Sequence, residues 1–303
     1  MPEQALEQAF LEQRPRLFQI AYRLMGTVSD AEDALQDVYV KLRTQHIGEV
    51  TSPRPYLTQA VVRRCLDEWK SARRRREEYV GPWLPEPLTE RESDPAQHAE
   101  LSESVSLAFL VMLESLTPVE RAVFLLHDVF QYPYDEVSTF VEKTPEACRQ
   151  LAHRARERVA ANRPRFPASP EKHRQLVQRF MQAVGSGDLH ELQAVLAGDV
   201  TAYSDGGGFT AAARAPIEGL DHVTRFLLGL RGKAQRMGLN IELRPCEVNG
   251  LPAVLKLVDG RLFALVSFEI DGEQIRRLFS ILNPHKLVAV AAAHGVKGVW
   301  SDA

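Results

Sequence analysis

The sequence predicts a multidomain protein: two all-α units, the second ending in a helix-turn-helix, followed by an α+β domain. Three observations carry this reading. Apolar residues recur at helical spacing through the first half of the chain. Two proline-rich stretches, Glu77–Pro95 and Arg163–Pro170, interrupt that pattern. Beyond them, Asn249-Gly250, Asp259-Gly260 and Asp271-Gly272 punctuate alternating apolar segments, the mark of successive β-hairpins. The boundaries read as a helical unit 1–76, a linker 77–101, a second helical unit 102–163, a short linker 164–170 and an α+β domain 171–303.

The elements follow in order. Glu3–Met25 carries the stripe Leu6, Phe10, Leu17, Ile20, Ala21 and Leu24, and Gly26 ends it. Ser29 is the expected cap of a second helix whose inward face is Ala31, Ala34, Leu35, Val38 and Leu42. Ser52-Pro53-Arg54-Pro55 opens a third, Tyr56–Arg76, with Leu57, Val61 and Leu66 inside and Trp69 as packing. In the second unit, Asp135–Val141 buries Val137, Phe140 and Val141, and Glu142-Lys143 is a turn. Thr144 caps the next helix, Pro145 takes its first position, and Ala147, Cys148, Leu151 and Ala155 are its expected buried stripe. An amphipathic helix over Glu171–Val184 opens the last domain.

Composition narrows the function. The 303 residues suffice for about two domains with their own cores. No apolar run reaches membrane-spanning length and no secretory leader is legible, so the expectation is a cytoplasmic protein without a membrane partner. Cys65, Cys148 and Cys246 are isolated, which points to no disulfide framework and no metal site; no cofactor is expected either. Net charge is −3, yet cations cluster locally. Arg63, Arg64, Lys70 and Arg73–Arg76 form one patch, and Arg149–Arg165 another. Two basic patches in an acidic surround fit two separate contacts with a polyanion. The helix after Thr144 turns Arg149, Gln150, His153, Arg154 and Arg156 away from its buried stripe. Arg and Gln offer paired donors to base edges in a DNA major groove, whereas the plainer reading is a solvated arginine face.

These segments together resemble an extracytoplasmic-function sigma factor, the promoter-recognition subunit of bacterial RNA polymerase. RLFQIAYRLMGTVSDAEDALQDVYVKL and SPRPYLTQAVVRRCLDEWKSARRR are similar to the region 2 domain. LESLTPVERAVFLLHDVFQYPYDEVSTFVEKTPEACRQLAHRARERV is similar to the region 4 domain. Trp83-Leu84-Pro85-Glu86-Pro87, Asp205-Gly206-Gly207-Gly208 and Asn283-Pro284-His285-Lys286-Leu287 match the subgroup with a C-terminal SnoaL-like, NTF2-like extension, a curved sheet wrapped by helices around a cavity. The resemblance implies core RNA polymerase and promoter DNA as partners. The outward acids Asp30, Glu32, Asp33, Gln36 and Asp37 would face the β′ clamp helices, with region 4 on the β flap. Ser52, Arg54, Tyr56, Gln59, Arg63 and Arg64 would serve the −10 element beside a pocket in the loop Gln45–Pro55, with Arg73–Arg76 on phosphates. Thr144, Arg149, Gln150, His153, Arg154 and Arg156 would serve the −35 element. Many sigma factors have Asn where Ser52 stands here.

The extension leaves more than one reading open. Asp205, Arg214, His222 and His285 are its candidate polar groups, and no acid/base pair is evident among them, so no catalytic residue is assigned. Three successive glycines after Asp205 are unfavourable inside a strand and point to a loop that another backbone approaches closely. The stiff segment Trp83, Leu84, Pro85 is the expected visitor, meeting Asp205–Gly208 and Asn283-Pro284, with region 2 as a further intramolecular contact. A small-molecule ligand is a further expected partner. A SnoaL-type cyclase or isomerase fused to a DNA-binding module is the alternative function, and a simple helix-turn-helix repressor a third.

Overall fold

The computed structural model describes residues 2–44, 50–89, 106–162 and 168–301. The chain divides into two compact units, Met1–Glu78 with Leu110–Arg163, and Tyr79–Phe109 with Pro164–Ala303. The loop residues 45–49 of the expected −10 pocket, and the side chains of Arg73–Arg76, lie outside the described set.

The first unit is helical. It contains α1 (Pro2–Met25), α2 (Val28–Thr44) and α3 (Pro53–Glu77). After α4 (Leu107–Leu113) come α5 (Pro118–Phe124), a π-helical turn Leu125–Val129, α6 (Tyr134–Val141) and α7 (Pro145–Asn162). The stripes of α1 and α2 are buried as the periodicity predicts. The cap of α2 is Thr27 rather than Ser29: its Oγ1 accepts from the Asp30 N–H at 3.2 Å, because α2 starts two residues earlier, at Val28. On α3 the buried line is Leu57, Thr58, Val61, Val62, Cys65 and Trp69, while Leu66 is only half-buried. On α7 it is Cys148, Ala152, Ala155 and Val159, with Ala147 and Leu151 half-buried. In both helices the 3.6-residue period rotates the seam toward small residues that composition alone ranks low.

Two arginines bury completely in this unit. Arg23 donates to the Gln19 carbonyl at 3.0 Å and to its Oε1 at 2.5 Å, and burial pulls its pKa down to about 10. Arg121 donates from Nε to the Arg23 carbonyl at 2.8 Å and from Nη1 to Glu114 at 2.5 Å. Buried guanidinium groups persist only when bonded in this way. Here they fasten α5 to α1.

The second unit packs α8 (Pro170–Ser186), α9 (Leu189–Val195) and α10 (Leu220–Arg236) against a six-stranded sheet of order β2-β1-β6-β5-β4-β3. The strands are β1 (Leu196–Asp205), β2 (Ile217–Glu218), β3 (Ile241–Val248), β4 (Leu251–Val258), β5 (Arg261–Asp271) and β6 (Gln274–Ile281), followed by α11 (Pro284–Ala293). Only β1 and β6 run parallel among the paired strands. Leu176, Val177 and Phe180 of α8 meet Val200, Ala202, Phe268 and Leu278 in one apolar core. The three expected hairpins form. Asn249-Gly250 and Asp259-Gly260 have both residues at positive φ, as a two-residue primed turn needs. At Asp271-Gly272 only the glycine does, with φ 60°.

His173 of α8 lies inside this domain. Its ring donates to the Pro252 carbonyl, Nε2 is buried without a partner, and burial pulls its pKa down from 6.5 to about 4. Below pH 6.5 the unfolded chain binds a proton that the folded ring refuses, so stability is complete above that pH and falls toward pH 4. The expected slope is about 1.4 kcal/mol per pH unit. Replacing His173 with Gln should flatten that part of the acid limb in pH-dependent unfolding; parallel limbs for wild type and variant would refute the assignment.

Candidate nucleic-acid, polymerase and linker-docking surfaces

The recognition face of α7 is built by the turn before it. Glu142 takes φ 54°, which ends α6, and the Thr144 Oγ1 then accepts from the Ala147 N–H at 3.2 Å. Arg149, Gln150 and His153 are exposed. Arg149 lies 3.3 Å from Glu146, and His153 3.6 Å from Glu157. Arg154 and Arg158 instead converge on Glu120, at 3.6 and 2.7 Å. Glu120 also closes a capping box with Thr117 at the start of α5. Burial pushes the Glu120 carboxyl up, but the Thr117 bonds and the two arginines hold it below its ordinary value. Arg156 bonds Asp128 at 2.8 Å and the Tyr134 hydroxyl at 3.1 Å. Arg149, Gln150, His153, Arg154 and Arg156 of the expected −35 set are all exposed, and Arg154 and Arg156 are in addition anchored to acids of other elements in the same unit.

The residues expected to serve the −10 element lie on α3 and are largely engaged. Ser52 and Arg54 are exposed at its start, and Tyr56 is half-buried. Gln59 and Arg63 both donate to the Thr139 carbonyl of α6, at 2.9 and 3.1 Å, and Arg63 reaches Glu142 at 3.1 Å. Arg64 pairs with Asp37 at 2.6 Å and Glu68 at 3.1 Å; the Asp37 bond leads in raising its pKa. Of the acidic face, Asp33, Gln36 and Asp37 are exposed, whereas Asp30 is tied to Thr27 and Glu32 to Arg14.

Within the second unit the stretch Tyr79–Thr89 runs extended over the end of β1 and the start of α11. Asp205, fully buried, is the hub. Its Oδ2 accepts from the Leu84 N–H at 2.9 Å and from Lys286 Nζ at 2.8 Å, and its Oδ1 accepts from the Tyr79 hydroxyl. Lys286 also donates to the Leu84 carbonyl at 2.5 Å. Its ammonium sits 4.4 Å from the Trp83 ring centroid and 5.0 Å from that of Tyr79. Asn283 caps α11 through the His285 N–H and donates to the Tyr79 hydroxyl at 2.7 Å. Burial first, then the Asp205 bond, raises the Tyr79 pKa. Further on, Asn249 brackets Leu88: its N–H donates to the Leu88 carbonyl and its Oδ1 accepts from the Leu88 N–H, both at 3.0 Å. Pro85 and Leu84 are buried, and Pro284 opens α11.

The glycines behave differently from one another. A Cβ on Gly206 would meet the Thr210 carbonyl at 2.3 Å; one on Gly207 would meet Asn283 Nδ2 at 2.4 Å and the Tyr79 hydroxyl at 2.8 Å. Gly208 faces Val80. The visitor at the glycines is thus Tyr79-Val80, and Trp83–Pro85 occupies the neighbouring Asp205–Lys286 site. Arg214, His222 and His285 are exposed; His222 bonds the Glu218 carbonyl and His285 meets the Phe209 ring edge-on. Sequence reasoning passed over Tyr79, read Asn249 only as a hairpin turn, and had Lys286 only as a member of the motif Asn283–Leu287. The signal for Lys286 was a lone lysine in the otherwise apolar PHKLVAVAAA.

Two sigma-70 families match the helical parts: region 2 over residues 10–75 and region 4 over residues 106–159. The class is therefore a sigma subunit of RNA polymerase. ECF RNA polymerase sigma factor SigJ of Mycobacterium tuberculosis is 36% identical over 285 residues, covering 90% of each chain. The probable ECF sigma factor SigI of the same organism is 32% identical over 289 residues, 95% of this chain and 96% of that one. The crystal structure of M. tuberculosis SigJ superposes with a TM-score of 0.72 at 33% identity, covering 92% of this chain and 97% of that chain. The chain belongs to the extracytoplasmic-function sigma factors, among the members with a C-terminal extension. The repressor reading falls with that membership, and among the described residues no helix is long and apolar enough to cross a membrane.

Removing the cation from the hub should be costly. Lys286→Met leaves Asp205 buried with no opposing charge, and breaking such a pair from one side costs about 3–5 kcal/mol. Asp205→Asn in the Lys286→Met background should recover part of it. Urea unfolding of the full chain reads both; an unchanged midpoint for Lys286→Met would contradict the buried pair.

Proposed function

We propose that this sigma factor holds its own inter-domain linker through the SnoaL-like extension, and that this hold governs promoter use. The observation that carries the reading is the Asp205–Lys286 pair bonded to both backbone groups of Leu84. The extension serves as a docking module rather than as an enzyme, since its buried carboxylate is already satisfied by linker and lysine. Any small-molecule ligand of the extension acts through the same hold.

The remaining roles follow the family. Asp30, Glu32, Asp33, Gln36 and Asp37 dock on the β′ clamp helices, where a negative helical face favours a basic partner. Region 4 docks on the β flap. Thr144, Arg149, Gln150, His153, Arg154 and Arg156 address the −35 element, and Ser52, Arg54, Tyr56, Gln59, Arg63 and Arg64 the −10 element. The bonds of Gln59 and Arg63 to Thr139 and Glu142 support an additional step: α3 must part from α6 before those side chains can reach DNA. The protein works in the cytoplasm, with the polymerase.

Two experiments test this reading. Asp33→Lys with Asp37→Lys should lower recovery of core polymerase in a pull-down at moderate salt, with the helical circular dichroism unchanged; full recovery would remove the clamp assignment. For the hold, Trp83→Ala removes one ring from Lys286, and Gly207→Val is incompatible with φ 59° and with the Asn283 side chain. In run-off transcription each should shift promoter activity in the same direction, and the double variant should shift it by less than the sum, because both loosen one contact. Full additivity, or wild-type output from a chain truncated at Pro170, would leave the extension without this role.

A further inference from the structure

Tyr134 is absorbed by none of the roles above, yet it contacts both the turn before the helix-turn-helix and the helix that ends it. It is the first residue of α6, and the π-helical turn before it sets its surroundings. That turn bonds the Phe130 N–H to the Leu125 carbonyl, and Gln131 reverses the chain at φ 61°. The turn aims His127 and Asp128 at the start of α6. His127 Nδ1 lies 2.9 Å from the Tyr132 carbonyl. A carbonyl only accepts, so Nδ1 carries the proton and the imidazole is fixed in orientation. That imidazole stacks on the Tyr134 ring at 3.9 Å between centroids, with 23° between planes. The ring is thereby immobilised before anything from α7 touches it.

Two arginines of α7 then use the same side chain. The Arg149 guanidinium carbon lies 5.6 Å from the Tyr134 ring centroid, and Glu146 takes its Nη1 at 3.3 Å. Arg156, seven residues and so two turns further along the same face, donates from Nη2 to the Tyr134 hydroxyl and from Nε to Asp128. Those two bonds consume two of its five N–H donors and fix the plane in which the others point. A long exposed arginine loses rotamer freedom when it binds, and a support that restricts it beforehand improves both affinity and discrimination.

We infer that Tyr134 is the positioning residue of the −35 surface: its ring holds Arg149 for base edges, and its hydroxyl holds Arg156 for the phosphate backbone. The inference rests on the proposed assignment of the α7 face to the −35 element. It separates two functions by chemistry within one side chain. The flat ring bears on sequence preference, and the hydroxyl on sequence-independent affinity.

The test uses the full chain assembled with core polymerase, and promoters that differ by single bases at −35 over a constant −10 element. Competitive binding is read at several salt concentrations for Arg149→Ala, Arg156→Ala, Tyr134→Phe and Tyr134→Leu. Arg149→Ala should compress the spread between best and worst promoter by about fivefold to tenfold, the lower end of what one bidentate contact contributes. Tyr134→Leu should compress it similarly, and adding it to Arg149→Ala should compress it no further. Tyr134→Phe keeps the ring. It should preserve the ranking while weakening every promoter alike, in the direction of Arg156→Ala, whose salt slope falls by about one. A Tyr134→Leu protein that keeps the full ranking while Arg149→Ala loses it overturns the ring's role and leaves the face assignment standing. Tyr134→Phe that flattens the ranking overturns it too, even if the leucine variant does not fold. Tyr134→Phe with wild-type affinity at every salt overturns the hydroxyl's role. An Arg149→Ala protein with an unchanged ranking removes the face assignment, and the positioning role with it.

Discussion

The second unit is organised around one buried charge. Asp205 ends β1 and is fully enclosed, so its carboxylate must be matched within the fold. Lys286 matches it from the first turn of α11, which fixes where that helix starts relative to β1. The Asp205 carbonyl adds to this by accepting the N–H groups of Leu282 and Asn283. Two further acceptor positions of the carboxylate are filled by Tyr79 and by the Leu84 N–H, both from the stretch that follows α3. The domain is thus electrostatically complete only with that stretch in place. An apolar linker lying on an apolar groove could slide; a linker whose amide, carbonyl and hydroxyl all bond one ion pair has a single register. The glycine turn follows from the same geometry, since a side chain at Gly207 would displace Asn283 and Tyr79 together.

Charge is managed differently in the helical unit. The overall balance of −3 conceals arginines distributed to two purposes. Arg23 and Arg121 are structural, buried and bonded to carbonyls. On α7, Arg154, Arg156 and Arg158 are partnered by Glu120 and Asp128, which keeps a basic helix from repelling itself while its outer donors stay exposed. The arginine ends of these pairs are exposed, but Glu120 is buried, so its two arginines also offset the cost of enclosing its carboxylate. Their further value lies in direction: each acid takes some of a guanidinium's donors and leaves the rest aimed outward. Glu120 links this arrangement to the backbone, because the carboxylate that receives the arginines also caps α5.

Much of the fold was legible in the sequence because its signals are local. The stripes of α1 and α2, the cap Thr144, and the hairpin turns at Asn249 and Asp259 depend on neighbours in the chain, and each formed where the pattern put it. Thr27 was missed in favour of Ser29 because both are good caps two positions apart, and only the helix start decides between them. Ala152 and Val159 were missed on α7, where small residues give a weak periodic signal. The site was less legible, for a physical reason. Asp205 and the glycines read as unusual in isolation, but the partners that explain Asp205 lie 81 to 126 residues away in sequence. Likewise, nothing local to Gln59 or Arg63 announces that both bond Thr139.

Chain connectivity gives the linker contact its leverage. Tyr79–Thr89, the described residues that follow the last region 2 helix, belong to the compact unit of the extension, so the covalent path from one promoter-reading module to the other passes through that unit. Two weak DNA contacts joined by a free tether add up according to how often the tether spans both elements. Once part of the tether is bound, its usable length falls and its ends become fixed to a folded body. The same two contacts then act with a different effective concentration, although no DNA-facing residue has changed. In the proposed reading, a protein with a net negative charge can therefore tune promoter binding without altering a single arginine: it needs only to take up or release Tyr79–Leu88.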